Sequence, residues 1–599
     1  MQVDPSAEYH ARLAHWRERL ATKSALDTRL AAVRLAVFGA AVLLAFAVWR
    51  LSWNGWLFAI PVLGFIVLVV RHERAIRARD RSASLVGFYE RGLERIEDRW
   101  AATGAGATGD RYRSDVHPYA NDLDLFGPGS LFALLSLART RTGEDTLASW
   151  LTDAAAPAAV LERQTAVREL TPALDTREEL SQAIGRSGTS VDAETLARWA
   201  TAPPVLAPPV FRWVSLALTA FTIAAAIYFW TGGNEVVLIF AVAAQVAFGL
   251  PHGRTVERML HAADGPARDL AAVLNAVRLL EQGTFTSARL ALLQRQFHET
   301  GAQASTAITR LRRILEMHDW QHNMVFAPIA FLLMWSTHLA WAVEAWRKQH
   351  GAHVRVWLRV IGEFEALASL SAYSFEHPAD PFPVFTDDAA GPRFEGTGLG
   401  HPLVASARMQ RNDVSLTPER QLLVVSGSNM SGKSTYLRTV GINAVLAQAG
   451  APVRATSLHL SALAVGATLR IQDSLQEGRS RFFAEITRIR QLADISRGQV
   501  PLLFLLDELF HGTNSHDRLV GASGVLGSLV DRGAIGLVTT HDLSLTAIVD
   551  DLGARAANVH FEDSFDGRDM RFDYHVKPGP VTKSNALALM RAVGLDVKD

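Results

Sequence analysis

Gly427-Ser428-Asn429-Met430-Ser431-Gly432-Lys433-Ser434-Thr435 follows the apolar run Leu422 to Val425 and opens a helical pattern from Tyr436 to Gln448. The frame G-x-x-x-x-G-K-[ST] between a strand and a helix is that of a phosphate-binding P-loop. Its glycines let backbone N–H groups wrap phosphate oxygens, Lys433 reaches the terminal phosphates, and the helix N-terminus adds partial positive charge. A hydroxyl at Ser434 is suited to ligate magnesium. The stretch predicts a nucleoside triphosphate as ligand.

Further parts of a phosphoryl-transfer site follow downstream. Pro501 to Leu506 reads as a strand buried on both faces and ends in Asp507-Glu508. Asp507 is the candidate magnesium partner, and Glu508 the candidate base that orients the attacking water. Carboxylates that merely finish a strand are the plainer alternative, and their place beside a P-loop argues against it. A third strand, Ile535 to Val538, ends in Thr539-Thr540-His541-Asp542, which puts His541 where it can sense a terminal phosphate.

These residues also carry a family resemblance. The loop Gly427 to Thr435, with Asn429-Met430 inside it, resembles the GPNMGGKST loop of the MutS mismatch-repair ATPases. Other segments match the same family in order: His401-Pro402 with Asn412-Asp413; Asp473 with Gly478-Arg479-Ser480, Phe482 and Glu485; Asp507-Glu508 with Gly512-Thr513 and Asp517; and Gly579 with Lys583-Ser584 and Ala592 to Leu595. Upstream, Asp122 to Gly127, Gly129 to Phe132, Thr142-Gly143, Trp150-Leu151 and Arg163 to Leu170 look like the start of that family's helical core. The resemblance implies ATP and Mg2+ as cofactors and a homodimer joined through the ATPase domains. In it Gly427, Asn429, Met430, Ser431, Gly432, Lys433, Ser434 and Thr435 hold the nucleotide, Ser434 and Asp507 the metal, and Glu508 and His541 serve catalysis. Ser480 matches the signature serine that reaches the partner's terminal phosphate. Arg481, His511 and Met409 depart from the family pattern, which puts nucleotide affinity and rate in doubt but no phosphate or magnesium contact.

The mismatch-reading part of the family is not expected. Phe88-Tyr89-Glu90 spells its Phe-x-Glu motif, but it falls among Arg91, Glu94, Arg95 and Glu97 in an amphipathic helical pattern with no room for a mismatch domain around it. The end of the sequence soon after Leu595 leads us to expect neither a dimerisation tail nor a nuclease domain. Mismatch reading is therefore not the expected activity.

Apolar runs stand in place of those parts. Leu35 to Trp49 and Leu51 to Val70 are uncharged, are separated by Arg50, and carry Trp49, Trp53 and Trp56 at one end with a turn expected at Asn54-Gly55. Six basic residues between Arg12 and Arg34 precede the pair, and five between Arg71 and Arg81 follow it, so both flanks are expected in the cytoplasm. Trp213 to Asn234 and Val236 to Leu250 form a second candidate hairpin, joined without Lys or Arg and closed by Arg254 and Arg258. Two buried helices of a large core are the alternative. Ala267 to Leu315 reads as one long amphipathic stretch, and Met324 to Val343, uncharged but holding Ser336, Thr337 and His338, as a buried core helix.

The predicted organisation is multidomain. It comprises a cytoplasmic amphipathic segment (1–30), a transmembrane hairpin (31–72), a helical linker (73–114), the first part of an all-α MutS-like core (115–205) and a second hairpin at the lever position (206–254). Lever and core helices (255–385) and an α/β P-loop ATPase domain of the MutS type (386–599) complete it. The chain has 599 residues, a formal net charge of zero and no cysteine. Zero charge supplies no basic field for DNA phosphates, and the missing thiols exclude disulfides and thiolate metal sites. The expected protein is an inner-membrane, multi-pass ATPase with its N-terminus and ATPase domain in the cytoplasm and with lipid as a partner. DNA handling is implied by the resemblance, and an ATP-driven switch acting on a membrane or protein partner is the alternative. A transporter's ATPase subunit fits less well, because the P-loop does not resemble that of transport ATPases.

Overall fold

The computed structural model describes residues 4–581 apart from 52–55, 57–58, 105, 185–191, 207–209, 299–302, 325, 387–389, 429, 471–480, 511–513 and 566–569. The chain divides into two units. The first is residues 1–105 with 177–182 and 375–377, and the second is the remainder.

In the first unit the helices Pro5–Leu51 and Ala59–Ile96 run antiparallel, as the pairs Tyr9–Tyr89, Arg17–Glu90, Asp27–His72 and Phe38–Phe65 require. At the end remote from the turn the packing is polar and buried. Tyr9 stacks on Phe375 and donates to Glu376 (3.2 Å), whose other oxygen accepts from Arg95 Nε at 2.7 Å. Glu178 accepts from the Tyr89 hydroxyl (2.5 Å) and Trp16 Nε1 (3.3 Å). Toward the turn, Leu35, Leu43 and Phe46 lie exposed. One helix thus passes from a clamped polar end to a bare apolar end. Phe88 and Tyr89 are buried in this packing and Glu90 pairs with Arg17 at 2.7 Å, so Phe88-Tyr89-Glu90 serves the helix interface.

In the second unit, Val210–Trp230 and Glu235–Gln282 form a helical pair joined at Thr231–Asn234, where Gly232 takes φ 92° and the Asn234 side chain caps the Val236 amide at 2.9 Å. Among the described residues three helices are long and apolar enough to cross a membrane, namely Pro5–Arg50, Val210–Trp230 and Glu235–Gln282. Part of the fourth expected span, Leu51 to Val70, lies outside the described residues, and the described helix Ala59–Ile96 has too few residues before Arg71 to be one of the three. The polar residues of the second pair face protein: Ser215, Thr222 and Gln245 are buried, and Gln245 Nε2 donates to the Leu332 carbonyl at 3.1 Å.

Two helical readings need correction. Met324–Val343 is not one buried helix: it divides into Ala327–Leu332 and the start of Trp335–Glu376, with Met334 in a left-handed conformation (φ 47°) between them and Met324 92% exposed. Pro328 is compatible only with the first turn of the short helix, and the carbonyls freed at the break are taken by Gln245 and Thr219. Ala267–Leu315 is likewise three pieces. The helix from Glu235 runs unbroken through 48 residues to Gln282, stops at Gly283, and is followed by Ala288–Gln296 and Ala304–Asp319.

Glu365, buried in Trp335–Glu376, accepts from the Arg139 amide (2.6 Å), the Thr140 amide (3.2 Å) and the Thr140 hydroxyl, and so anchors the N-terminus of the helix Arg141–Thr152. Burial pushes its carboxyl up to about 7, against the pull of those hydrogen bonds and of Arg139. Since the folded value exceeds that of the unfolded chain, its contribution to stability is complete below the ordinary carboxylate range and is lost as pH rises through about 7. The unfolding temperature of Glu365→Gln is expected to climb relative to the parent as pH is raised across that window. Thermal unfolding on either side of neutrality checks this, and a difference independent of pH would show the carboxylate ionised throughout.

The C-terminal region holds ten strands among the described residues: β1 (Val384–Phe385), β2 (Phe394–Leu399), β3 (Asn412–Leu416), β4 (Leu422–Ser426), β5 (Ser457–Leu460), β6 (Ala464–Thr468), β7 (Leu502–Leu506), β8 (Ile535–Thr540), β9 (Ala556–Phe565) and β10 (Met570–Pro578). A small sheet has the order β1-β5-β2-β3 and the central sheet β10-β9-β4-β8-β7-β6. In the central sheet β9, β4, β8, β7 and β6 are parallel, and β10 is antiparallel at one edge. Every residue of β4, β7 and β8 is buried, as continuous Leu, Ile and Val runs in a sheet covered on both faces demand.

Candidate nucleotide-hydrolysis site

The site lies at the carboxyl ends of β4, β8 and β7, where an open parallel sheet presents its loops. The turn after β4 needs glycine: Gly427 takes φ 149°, and a Cβ there would stand 3.1 Å from the Phe561 carbonyl. Gly432, at φ 102°, precedes the helix Lys433–Ala449, whose first amides have no partner within the helix and face the loop. Met430 is 85% exposed and also left-handed, with φ 70°. Lys433 is buried and its Nζ donates to the carbonyls of Gly427 and Ser428, both at 2.8 Å. Burial lowers its pKa, while Glu508 and Asp507 oppose that shift. The hydroxyls of Ser428 and Ser431 are buried without a hydrogen-bond partner among the described residues. A loop with a buried ammonium, free helix amides and two orphaned hydroxyls is fitted for a polyphosphate.

Asp507 and Glu508 follow β7 directly. Asp507 Oδ2 accepts from Ser434 Oγ at 2.6 Å, and Oδ1 accepts from the Thr539 hydroxyl. Thr539 Oγ1 in turn accepts the Glu508 amide at 3.0 Å, and Glu508 Oε1 meets His541 Nδ1 at 3.2 Å. Glu508 itself is left-handed, with φ 51°. Because β8 lies between β4 and β7, with Val425 opposite Thr539 and Leu506 opposite Val538, one threonine can join both acids. Ser434, Asp507, Thr539, Glu508 and His541 thereby form one hydrogen-bonded line. A hydroxyl and a carboxylate converging at 2.6 Å are hard oxygen donors of the kind magnesium takes, so the residues fit that ion.

Thr539 was not assigned a role from sequence, although a hydroxyl ending an all-apolar strand before His541 was a usable signal. Tyr574 was also missed. It lies where the β9–β10 pairing shifts register, takes φ 55°, and places its ring beside Gly432, where an added Cβ would meet it at 3.1 Å. No short-range pattern marks such a bulge. Glu485 is buried and accepts the Phe510 amide at 2.5 Å, tying the helix Arg481–Ile495 to the turn after Glu508. Asn429 and Ser480, with Asp473, Gly478, His511, Thr513 and Lys583, lie outside the described residues.

Residues 423–598 match MutS domain V. That stretch holds the P-loop, both acids and His541. The chain is also similar to the DNA mismatch repair protein MutS 2 of Halobacterium salinarum, 36% identical over 242 residues, which covers 40% of this chain and 27% of that protein. A protein of the same description from Haloarcula marismortui is 37% identical over 214 residues, covering 35% of this chain and 22% of its own length. The chain thus spans about a quarter of the length of these relatives.

Proposed function

We propose that this protein is a membrane-anchored ATPase of the MutS type, which hydrolyses Mg-ATP between two copies of the chain and turns nucleotide state into movement of its long helices. The observation that carries the reading is the continuous line Ser434–Asp507–Thr539–Glu508–His541 beside a loop with a buried lysine. Lys433 leaves its two carbonyls for the terminal phosphates, and Ser434 and Asp507 hold magnesium, which when bound neutralises charge on the phosphate oxygens. Glu508 orients a water and takes its proton, held in line by His541. Tyr574 offers a ring beside the loop for the base, and Ser480 completes the partner's site.

The helix Glu235–Gln282 favours a mechanical load at the membrane. Its 48 residues span roughly 72 Å at about 1.5 Å per residue, with Pro251 and Pro266 inside it, and join an apolar half to a core-packed half. DNA handling is motivated by the relatives named for mismatch repair, and the reading without DNA by the apolar end of that helix. ATP turnover by detergent-solubilised protein with homoduplex, mismatched and four-way-junction DNA at low and physiological salt separates them. Stimulation by one DNA form establishes a DNA substrate, and turnover indifferent to all of them assigns the load to the membrane.

Thr539→Val tests the line directly. The change keeps shape but leaves the Glu508 amide and one Asp507 oxygen unpaired, a loss of about 1–3 kcal/mol. Turnover is expected to fall by roughly tenfold or more, with a modest drop in unfolding temperature from the same unpaired groups. Unaltered kinetics would show that the acids are positioned without it.

A further inference from the structure

Asp122 and Asp124, quoted above only for a resemblance, lie at a junction the catalytic line does not use. Asp122 is buried and accepts the amides of Leu469 (2.7 Å) and Arg470 (2.8 Å), the residues that follow β6. Asp124 holds a left-handed conformation, φ 54°, and its carboxylate meets two guanidiniums: Arg470 at 2.5 and 3.1 Å, and Arg438 at 3.4 Å. Arg438 stands one turn beyond Ser434 on the P-loop helix and so on the same face. Its Nε is buried with no hydrogen-bond partner among the described residues. Burial and the neighbouring Arg470 lower its pKa, while Asp124, Asp507 and Asp122 hold it charged. Arg438 is thus paired with Asp124 and also feels the charge of Asp507.

We propose that Asp124 is a positioning residue that draws Arg438 away from Asp507, so that magnesium and its nucleotide can enter, and that couples this occupancy to Arg470 at the end of β6. The inference rests on the Mg-ATP reading above. The physical basis is competition: one carboxylate serves two mutually repelling guanidiniums, so a new positive charge at Asp507 pushes Arg438 onto Asp124 and loosens Arg470. Arg470 immediately precedes residues 471–480 in the sequence, the stretch with the signature-like pattern, and Asp122 binds the same backbone to the helical region. The junction therefore links the nucleotide site to the end of β6 and to the helical region.

Asn at position 124 removes the charge and tolerates the left-handed backbone, so Asp124→Asn is the clean variant. Binding of a fluorescent ATP analogue to the full chain in detergent, titrated with Mg2+, is the readout. Asp124→Asn is expected to raise the half-saturating Mg2+ by about tenfold, and Arg438→Gln in the same chain to restore it. Arg470→Gln, which leaves Asp124 to Arg438 alone, shifts it in the opposite direction and serves if Asp124→Asn misfolds. A lowered unfolding temperature with unmoved Mg2+ titrations would reduce Asp124 to a structural contact. Failure of the parent chain to bind nucleotide would instead overturn the Mg-ATP reading beneath.

Discussion

Glu508→Gln is expected to bind ATP within about threefold of the parent while turnover falls by roughly two to three orders of magnitude. The substitution keeps the length of the side chain, its oxygen toward His541 Nδ1 and the amide bond to Thr539, so the left-handed turn at φ 51° is undisturbed. What it removes is the basic oxygen that takes a proton from the attacking water. Binding rests on other groups: Lys433, the helix amides and the buried serine hydroxyls. Nucleotide binding measured beside steady-state hydrolysis separates the two. Unchanged turnover would refute Glu508 as the base, and loss of binding would show that the carboxylate shapes the loop. His541→Asn belongs in the same series, with a smaller loss expected of a residue that orients Glu508.

The α/β half of the molecule was legible because its pattern is local. A P-loop announces itself within nine residues, and buried parallel strands announce themselves by unbroken apolar runs ending in acids. The strand order was not legible, since nothing near Asp507 in sequence states that β8 lies between it and the P-loop. Thr539 and Tyr574 depend on that order and on a register shift, and both were missed. The helical half shows the opposite limit. Apolar runs pointed to a helical pair at 213–234 and 236–250, which the structure extends to Val210–Trp230 and Glu235–Gln282, yet the break at Met334 is visible only once the Leu332 carbonyl is seen to be taken by Gln245, a residue far away in sequence. Hydropathy alone gives Met324–Val343 no reason to divide.

Labelling of cysteine variants in whole cells decides the membrane reading, and a chain without native cysteine makes the experiment direct. Thr231→Cys lies in the turn of the second helical pair, which carries no Lys or Arg, whereas Glu257 is exposed beyond Arg254 and near Arg258. Basic residues stay on the cytoplasmic side, so a membrane-impermeant maleimide is expected to label Thr231→Cys in intact cells and Glu257→Cys only after permeabilisation. Ile223, exposed on the apolar face near the middle of Val210–Trp230, supplies the control. An arginine at the centre of a span costs about 2.5–3.5 kcal/mol, so Ile223→Arg is expected to cut labelling of Thr231→Cys from outside by tenfold or more. Labelling of position 231 that always requires permeabilisation would return the pair to the cytoplasm and make its bare apolar face a surface for protein. The polar lining argues for the first outcome. Gln245, Thr222 and Ser215 are turned inward while Ile227, Phe240 and Trp230 face out, the reverse of a helix pair built for water and the arrangement that a lipid solvent selects.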